Sequence, residues 1–155
     1  MSGFPRDKQA RLLQLLAQEL ELFGKIRELT EEQSRMLAEE EPDEPDSFNE
    51  SLDRRQEVIE QINGLHKESN PLMQSYISFS KSPGGKKIGE IEDSAGSLKA
   101  AIAECAELNE KNMAAAKEIT AQYGQQIDKL SAGRKSIGLY VQGLDNKPEH
   151  FDKMT

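Results

Sequence analysis

The stretch that decides the fold is residues 88–130, IGEIEDSAGSLKAAIAECAELNEKNMAAAKEITAQYGQQIDKL. Alternating steps of three and four residues along it select an unbroken series of mainly apolar, small or aromatic residues: Ile88, Ile91, Ala95, Leu98, Ile102, Cys105, Asn109, Asn112, Ala116, Ile119, Tyr123, Gln126 and Leu130. A 3.5-residue repeat places these side chains along one narrow side of an α-helix. At 1.5 Å per residue this helix would be roughly 65 Å long, so we expect it to lie against other helices or another chain.

Two amides interrupt this apolar series. Asn109 and Asn112 lie on it next to each other, while Leu108 and Met113 flank it. An amide on a buried helical seam lowers stability and specifies register or partner. Two interpretations stay open at this point. The amides set the register inside a bundle, or this part of the helix is left uncovered for a partner.

The composition favours helical packing over a thick globular core. Only 35% of the 155 residues are hydrophobic and 5% are aromatic, while 31% are charged. The net charge of -8 disfavours binding to nucleic acid or to an anionic membrane. No stretch approaches the roughly 20 apolar residues of a membrane span, and the polar first residues do not resemble a signal peptide. The single cysteine, Cys105, cannot form an internal disulfide, so we expect a cytoplasmic location.

Heptad spacing predicts a first helix over residues 7–40. Gly24 lies inside this helix and weakens it by about 1 kcal/mol. The residues before the helix, which include Gly3 and Pro5, are expected to fray. The acidic stretch that follows, EEEPDEPD at 39–46, predicts a solvated turn. The apolar stripe of this first helix consists of Leu12, Leu15, Leu16, Leu22, Phe23, Ile26, Leu29, Met36 and Leu37.

A second helix is predicted over residues 47–80. Ser47 and Glu50 have the spacing of a capping box at its start. Pro71 lies in its middle, where we expect a kink because the heptad register continues past it. Its stripe consists of Leu52, Val58, Ile59, Ile62, Leu65, Leu72, Met73, Tyr76 and Phe79.

The turn SKSPGGKK at 80–87 leads into the third helix, predicted over 88–130. Gly89, Ser94, Gly96 and Ser97 weaken its first turns, so firm helix is expected only from about Ser97. The predicted fold is therefore all-α, with three long antiparallel helices forming an elongated helical bundle or coiled coil over residues 1–130. Residues 131–155 are rich in glycine but keep several apolar side chains, which predicts a flexible tail that folds onto a partner.

No arrangement of residues predicts catalysis, a cofactor or a metal site. The chain has two histidines, no Glu-x-x-His pair, no zinc-type cluster and no phosphate-binding glycine loop. A histidine phosphotransfer bundle with His66 as acceptor is the one enzyme-like alternative. His66 falls on the stripe of the second helix, which favours a packed or partly covered side chain. We therefore predict that the chain is not an enzyme.

Three segments resemble the FlgN family of flagellar export chaperones. The run LNEKN at 108–112, followed by a long helix, is similar to the Leu-Asn-x-x-Asn pattern in the family's last helix. The segment LDRRQEVIEQINGL at 52–65 resembles the second helix of FlgN and of the related FliT-type chaperones. The segment SAGRKSIGLYVQGLDNKPEHFDK at 131–153 resembles the family's C-terminal end.

This resemblance implies a cytoplasmic, non-enzymatic chaperone. Such a protein holds the C-terminal helical segments of the flagellar hook-associated (hook–filament junction) proteins and delivers them to components of the flagellar type III export apparatus. A client helix would lie on the apolar stripe of the third helix and on the tail. The residues to which the resemblance assigns this role are Asn109, Asn112, Met113, Ile119, Tyr123, Gln126, Leu130, Tyr140 and Leu144.

A second class of function fits the same residues. A structural coiled-coil scaffold would bury residues 119–130 in a homodimer, whereas a chaperone would leave this stripe accessible to its client. The FliT-type chaperones are the second choice within the chaperone class. Stoichiometry in solution separates the scaffold from the chaperone.

Overall fold

The computed structural model describes residues 3–38 and 45–118, with side chains from residue 47 onward in the second segment. These residues form three α-helices, α1 (Arg6–Ala38), α2 (Pro45–Lys81) and α3 (Gly89–Glu118), and contain no strand. The predicted all-α bundle is confirmed for this part of the chain. The rest of the predicted third helix and the predicted tail lie outside the described residues.

Polar contacts between the helices give an up-down-up arrangement. Residue numbers fall along α2 as they rise along α1, and they rise together along α1 and α3. The contacts that show this are Arg11 with Glu68 and Gln33 with Arg55 for α1 and α2, and Arg27 with Glu104 and Ser34 with Asn112 for α1 and α3.

The helix α1 is the centre of the bundle. Both α2 and α3 pack along it, whereas α2 and α3 approach each other at far fewer positions. This follows from the sequence, since the stripe of α1 is wide enough to face two neighbours. The helices α2 and α3 therefore share the smallest interface of the three pairs.

A large apolar cluster fills most of the bundle. Burial of a Leu, Ile or Phe side chain stabilises the fold by about 1.5–3 kcal/mol, so this cluster is the main source of stability. We call it the main cluster; its buried members are Phe4, Leu12, Leu16, Phe23, Ile26, Ile59, Ile62, Met73, Tyr76, Ile91, Leu98, Ile102 and Cys105.

The series predicted from the sequence of α3 faces this interior. Between residues 88 and 116 every member of the series is buried or half-buried, and Ile91, Leu98 and Ile102 are fully buried. Cys105 is also buried, as its place on the seam predicts. The 3.5-residue register is therefore confirmed up to Ala116.

The described residues before α1 are more ordered than the sequence predicts. Phe4 is only 7% exposed and packs on Tyr76 and Phe79, with both ring centroids at 5.7 Å. The helix begins at Arg6, with the amide of Gln9 donating to the carbonyl oxygen of Pro5 at 2.9 Å. From residue 3 onward the expectation of fraying is wrong, because burial of one aromatic ring outweighs the effect of Gly3 and Pro5.

Two local predictions about the other helices, the cap at Ser47 and the late start of α3, are wrong, and the kink at Pro71 stays a prediction. The helix α2 begins at Pro45, so Ser47 lies inside its first turn rather than at a cap, and it continues as one helix through the exposed Pro71. The helix α3 begins at Gly89 rather than near Ser97. Burial of Ile91 in the main cluster stabilises turns that are weak by intrinsic propensity.

Candidate partner-binding site

A small apolar cluster occupies the end of the bundle where α1 ends, α2 begins and α3 leaves the described residues. It contains side chains from all three helices. A polar layer, described below, lies between it and the main cluster. We call it the distal cluster; its members are Leu37, Phe48, Leu52, Met113 and Ala116, with Met36 and Ala115 packed against it.

The polar layer consists of one residue from each helix, Gln33, Arg55 and Asn109. Arg55 Nη1 donates to Gln33 Oε1 at 3.1 Å and to Asn109 Oδ1 at 2.6 Å. All three side chains are buried, and Arg55 is 2% exposed. The layer therefore ties α2 to both other helices at one level of the bundle.

Arg55 carries its charge in an apolar environment. Burial lowers the pKa of Arg55 to about 10, so the guanidinium is still protonated at neutral pH. Both of its hydrogen-bond acceptors are neutral amide oxygens, and no carboxylate of the described residues neutralises it. A buried cation in such surroundings carries a desolvation penalty that neutral partners offset only in part.

The side-chain amide of Gln33 brings an unpaired donor into the layer. Its oxygen must face Arg55, because the reverse orientation would place two donors against each other. The other end of the amide, Nε2, is buried and has no hydrogen-bond partner among the described residues. Within the described part of the chain, Gln33 therefore keeps one buried donor without an acceptor.

Asn112 connects α3 to α1 one turn closer to the distal cluster. The hydroxyl of Ser34 donates to Asn112 Oδ1 at 2.5 Å, and Asn112 Nδ2 donates to the carbonyl oxygen of Thr30 at 2.9 Å. Thr30 Oγ1 in turn donates to the carbonyl oxygen of Ile26 at 2.7 Å. Both atoms of the Asn112 amide group are thus used inside the bundle.

Of the nine residues predicted to bind a partner, the structure describes three. Asn109 and Asn112 lie in the interior with the hydrogen bonds given above, and Met113 belongs to the distal cluster. This position agrees with the interpretation of register-setting amides inside a bundle. Their role in partner binding stays a prediction. The other six residues lie outside the described part of the chain: Ile119, Tyr123, Gln126, Leu130, Tyr140 and Leu144.

Sequence reasoning missed Arg55 and Gln33 as members of the interior. A signal was present, because Arg55 follows Leu52 by three residues and precedes Ile59 by four, which places it on the apolar face of α2. A charged residue at such a position is either extended to the surface or buried with partners. Only the partners on α1 and α3 decide between these outcomes.

The other chemistry considered from the sequence can also be located. His66 is half-buried, and burial lowers the pKa of its imidazole. The described residues contain no group of three or more His, Cys, Asp or Glu side chains placed to hold a metal ion. Within the same residues, no helix has the length and apolar character needed to cross a membrane.

The observations define an elongated α-helical bundle whose three helices are joined near one end by a buried polar layer. A family model described as FlgN protein matches residues 1–143. The chain therefore belongs to the FlgN family of flagellar chaperones, which bind flagellar proteins. Neither the comparison with curated proteins nor the comparison with solved structures found a match.

Proposed function

We propose that the chain is a cytoplasmic export chaperone. It binds the C-terminal helical segments of flagellar hook-associated proteins and delivers them to the flagellar type III export apparatus. The observation that carries this proposal is the family match over residues 1–143, which includes most of the predicted partner-binding residues. No enzymatic step is needed for this role, since recognition of a helix requires only an apolar surface with matching polar groups.

The end of the bundle supports a client site on the continuation of α3. The distal cluster joins Leu37 of α1, Phe48 of α2 and Ala116 of α3, so these three helix ends lie at one level. In sequence, the apolar series of α3 continues beyond this level to Leu130. We place the client on the side chains of this continuation, with Asn109, Asn112 and Met113 at its inner end and Tyr140 and Leu144 beyond it.

Co-purification with the C-terminal segments of the host's hook-associated proteins tests this function. The binding variant is Ile119→Asp with Tyr123→Asp, which places two carboxylates on the predicted stripe. The matched control is Ala100→Asp with Ala103→Asp, which adds the same charges to exposed positions of α3. We expect a one-to-one complex with the wild-type chain and the control but not with the binding variant, at equal helicity by circular dichroism.

A different result would support the scaffold instead. If the wild-type chain bound none of these segments and formed a tight homodimer, the chaperone function would be wrong. Sedimentation equilibrium on the free chain and on the mixture measures both stoichiometries.

A further inference from the structure

The polar layer has one buried donor that the described residues do not satisfy, Gln33 Nε2. A guanidinium offers five N–H groups, and the two acceptors that Arg55 reaches are both contacted by one nitrogen, Nη1. Gln33, which is 0% exposed, has a second donor, Nε2, without an acceptor in the described part of the chain. Both observations indicate that an acceptor-rich, negatively charged group fits this layer.

A carboxylate is the chemical group that matches this surplus. It accepts two parallel hydrogen bonds from a guanidinium, and such charge-assisted bonds are stronger than those to an amide oxygen. Inside an apolar bundle, attraction to a cation that is already buried offsets part of the cost of desolvating the carboxylate. This stabilisation arises only when the carboxylate is bound. A ligand that carries the carboxylate therefore binds more tightly than one that lacks it.

The seam between α2 and α3 is where Arg55 meets Asn109. The two helices pack mainly on α1, and at the polar layer they are joined by the hydrogen bond from Arg55 to Asn109. The neighbouring side chains one turn away on each helix are buried and apolar or weakly polar. They are Leu52 and Ile59 on α2, and Cys105 and Met113 on α3. Because these side chains and Arg55 are buried, a partner helix contacts them only by separating α2 from α3 at this level, and it then meets apolar groups on both sides of one cation.

We propose that Arg55 is the anchor for an aspartate or glutamate carboxylate in the apolar stripe of an incoming client helix. This inference rests on the proposed chaperone function and adds the chemistry by which the client is recognised. The client carboxylate replaces Asn109 as the main acceptor of Arg55 and also accepts from Gln33 Nε2. A client helix with an uninterrupted apolar stripe binds more weakly than one that carries this single acid.

A double-mutant cycle between chaperone and client tests the anchor. On the chaperone side, Arg55→Met removes the buried charge, and Arg54→Met removes an exposed charge at the next position of the same helix. On the client side, each Asp and Glu of a bound hook-associated segment is changed singly to Asn or Gln. Titration calorimetry gives the affinity of every pair.

One acidic residue of the client is expected to show an energetic coupling with Arg55 and none with Arg54. Neutralising this acid should weaken binding to the wild-type chain tenfold or more. The same change in the client should not weaken binding to the Arg55→Met variant any further. Arg54→Met should behave as the wild-type chain does. Circular dichroism and urea midpoints establish that each variant is folded, and Arg55→Gln takes the place of Arg55→Met if the latter does not fold.

The possible failures can be told apart. If the wild-type chain binds the client and every neutralised client binds equally well, the anchor is wrong and the chaperone function stands. The anchor is also wrong if a client acid matters to the same extent in the wild-type chain and in the Arg55 variant. If the wild-type chain binds no hook-associated segment, the chaperone function and the anchor are both wrong.

Discussion

The buried thiol of Cys105 should make the stability of the fold depend on pH in the alkaline range. Burial, followed by the nearby charge of Glu104, raises the pKa of Cys105 to about 11 from an ordinary value of 9.0. A pKa that is higher in the folded state contributes stability below pH 9, and this contribution is lost as the pH rises towards 11. The free energy of unfolding should therefore fall above pH 9, by at most about 1.4 kcal/mol per pH unit for this one proton.

Urea denaturation between pH 8 and pH 9.5 measures this effect, with Cys105→Ala as the comparison. The upper limit avoids the range in which Tyr76 contributes, since burial raises the pKa of that phenol to about 12. The variant loses some stability at every pH but should have a flatter profile than the wild-type chain. Parallel profiles would show that the thiol ionises as easily in the folded state as in the unfolded state.

Single residues also show how far the sequence predicts the interior. The 3.5-residue pattern places Cys105, Asn109 and Asn112 on the seam of α3, and all three are buried. The same pattern does not identify their partners, because Arg55 and Gln33 lie on other helices. Spacing along one helix gives the face of a residue, whereas a contact depends on the relative rotation and height of two helices.

At the scale of the helices, three exposed glycines offer a direct gain in stability. Gly24, Gly64 and Gly96 lie inside α1, α2 and α3 respectively, and a Cβ atom at each would meet no heavy atom within 4 Å. Alanine restricts the unfolded chain and favours the helix, so each Gly→Ala change should stabilise the bundle by about 0.5–1 kcal/mol. Urea unfolding of the three single variants measures this.

The turn between α2 and α3 supplies the contrasting control. A Cβ atom at Gly85 would lie 1.9 Å from the carbonyl oxygen of Phe79, so Gly85→Ala forces the turn to shift. Gly84 has a φ of 80°, which a residue with a side chain rarely adopts. Because a Cβ atom at position 85 would clash with the backbone of Phe79, Gly85→Ala should destabilise the chain. A stabilising Gly85→Ala variant would contradict this turn geometry.

The helix ends show why element boundaries were harder to predict than element types. Intrinsic propensity alone suggests fraying before α1 and a late start of α3, yet Phe4 and Ile91 are buried at these positions. Helical stability in a bundle comes mostly from packing of the apolar face. Local composition therefore fails where one large side chain reaches a neighbouring helix.

For the whole molecule, the polar layer divides the interior into the main cluster and the distal cluster. Up-down-up packing of three amphipathic helices was predictable from heptad spacing and short connections. The division of the interior into two clusters was not predictable from spacing, since it requires Gln33, Arg55 and Asn109 to meet at one level. Partner chemistry at this level thus depends on the assembled bundle rather than on any one helix.

Replacing the polar layer with apolar side chains tests its energetic role in the free chain. The triple change Gln33→Leu, Arg55→Met and Asn109→Leu should raise the free energy of unfolding by about 1–4 kcal/mol, because it removes a desolvated cation together with its partners. Asn109→Leu alone should lower it by about 1–3 kcal/mol, since Arg55 then loses its shorter hydrogen bond. Urea midpoints at constant slope measure both changes.

The same triple variant separates stability from recognition. If the layer is retained for a client acid, the triple variant should be more stable than the wild-type chain and should bind the acidic client helix more weakly. Apolar variants that are less stable than the wild-type chain would show that the layer stabilises the free bundle on its own. In that case the burial of Arg55 would already be compensated within the free bundle, and Arg55 would have no energetic preference for a client carboxylate.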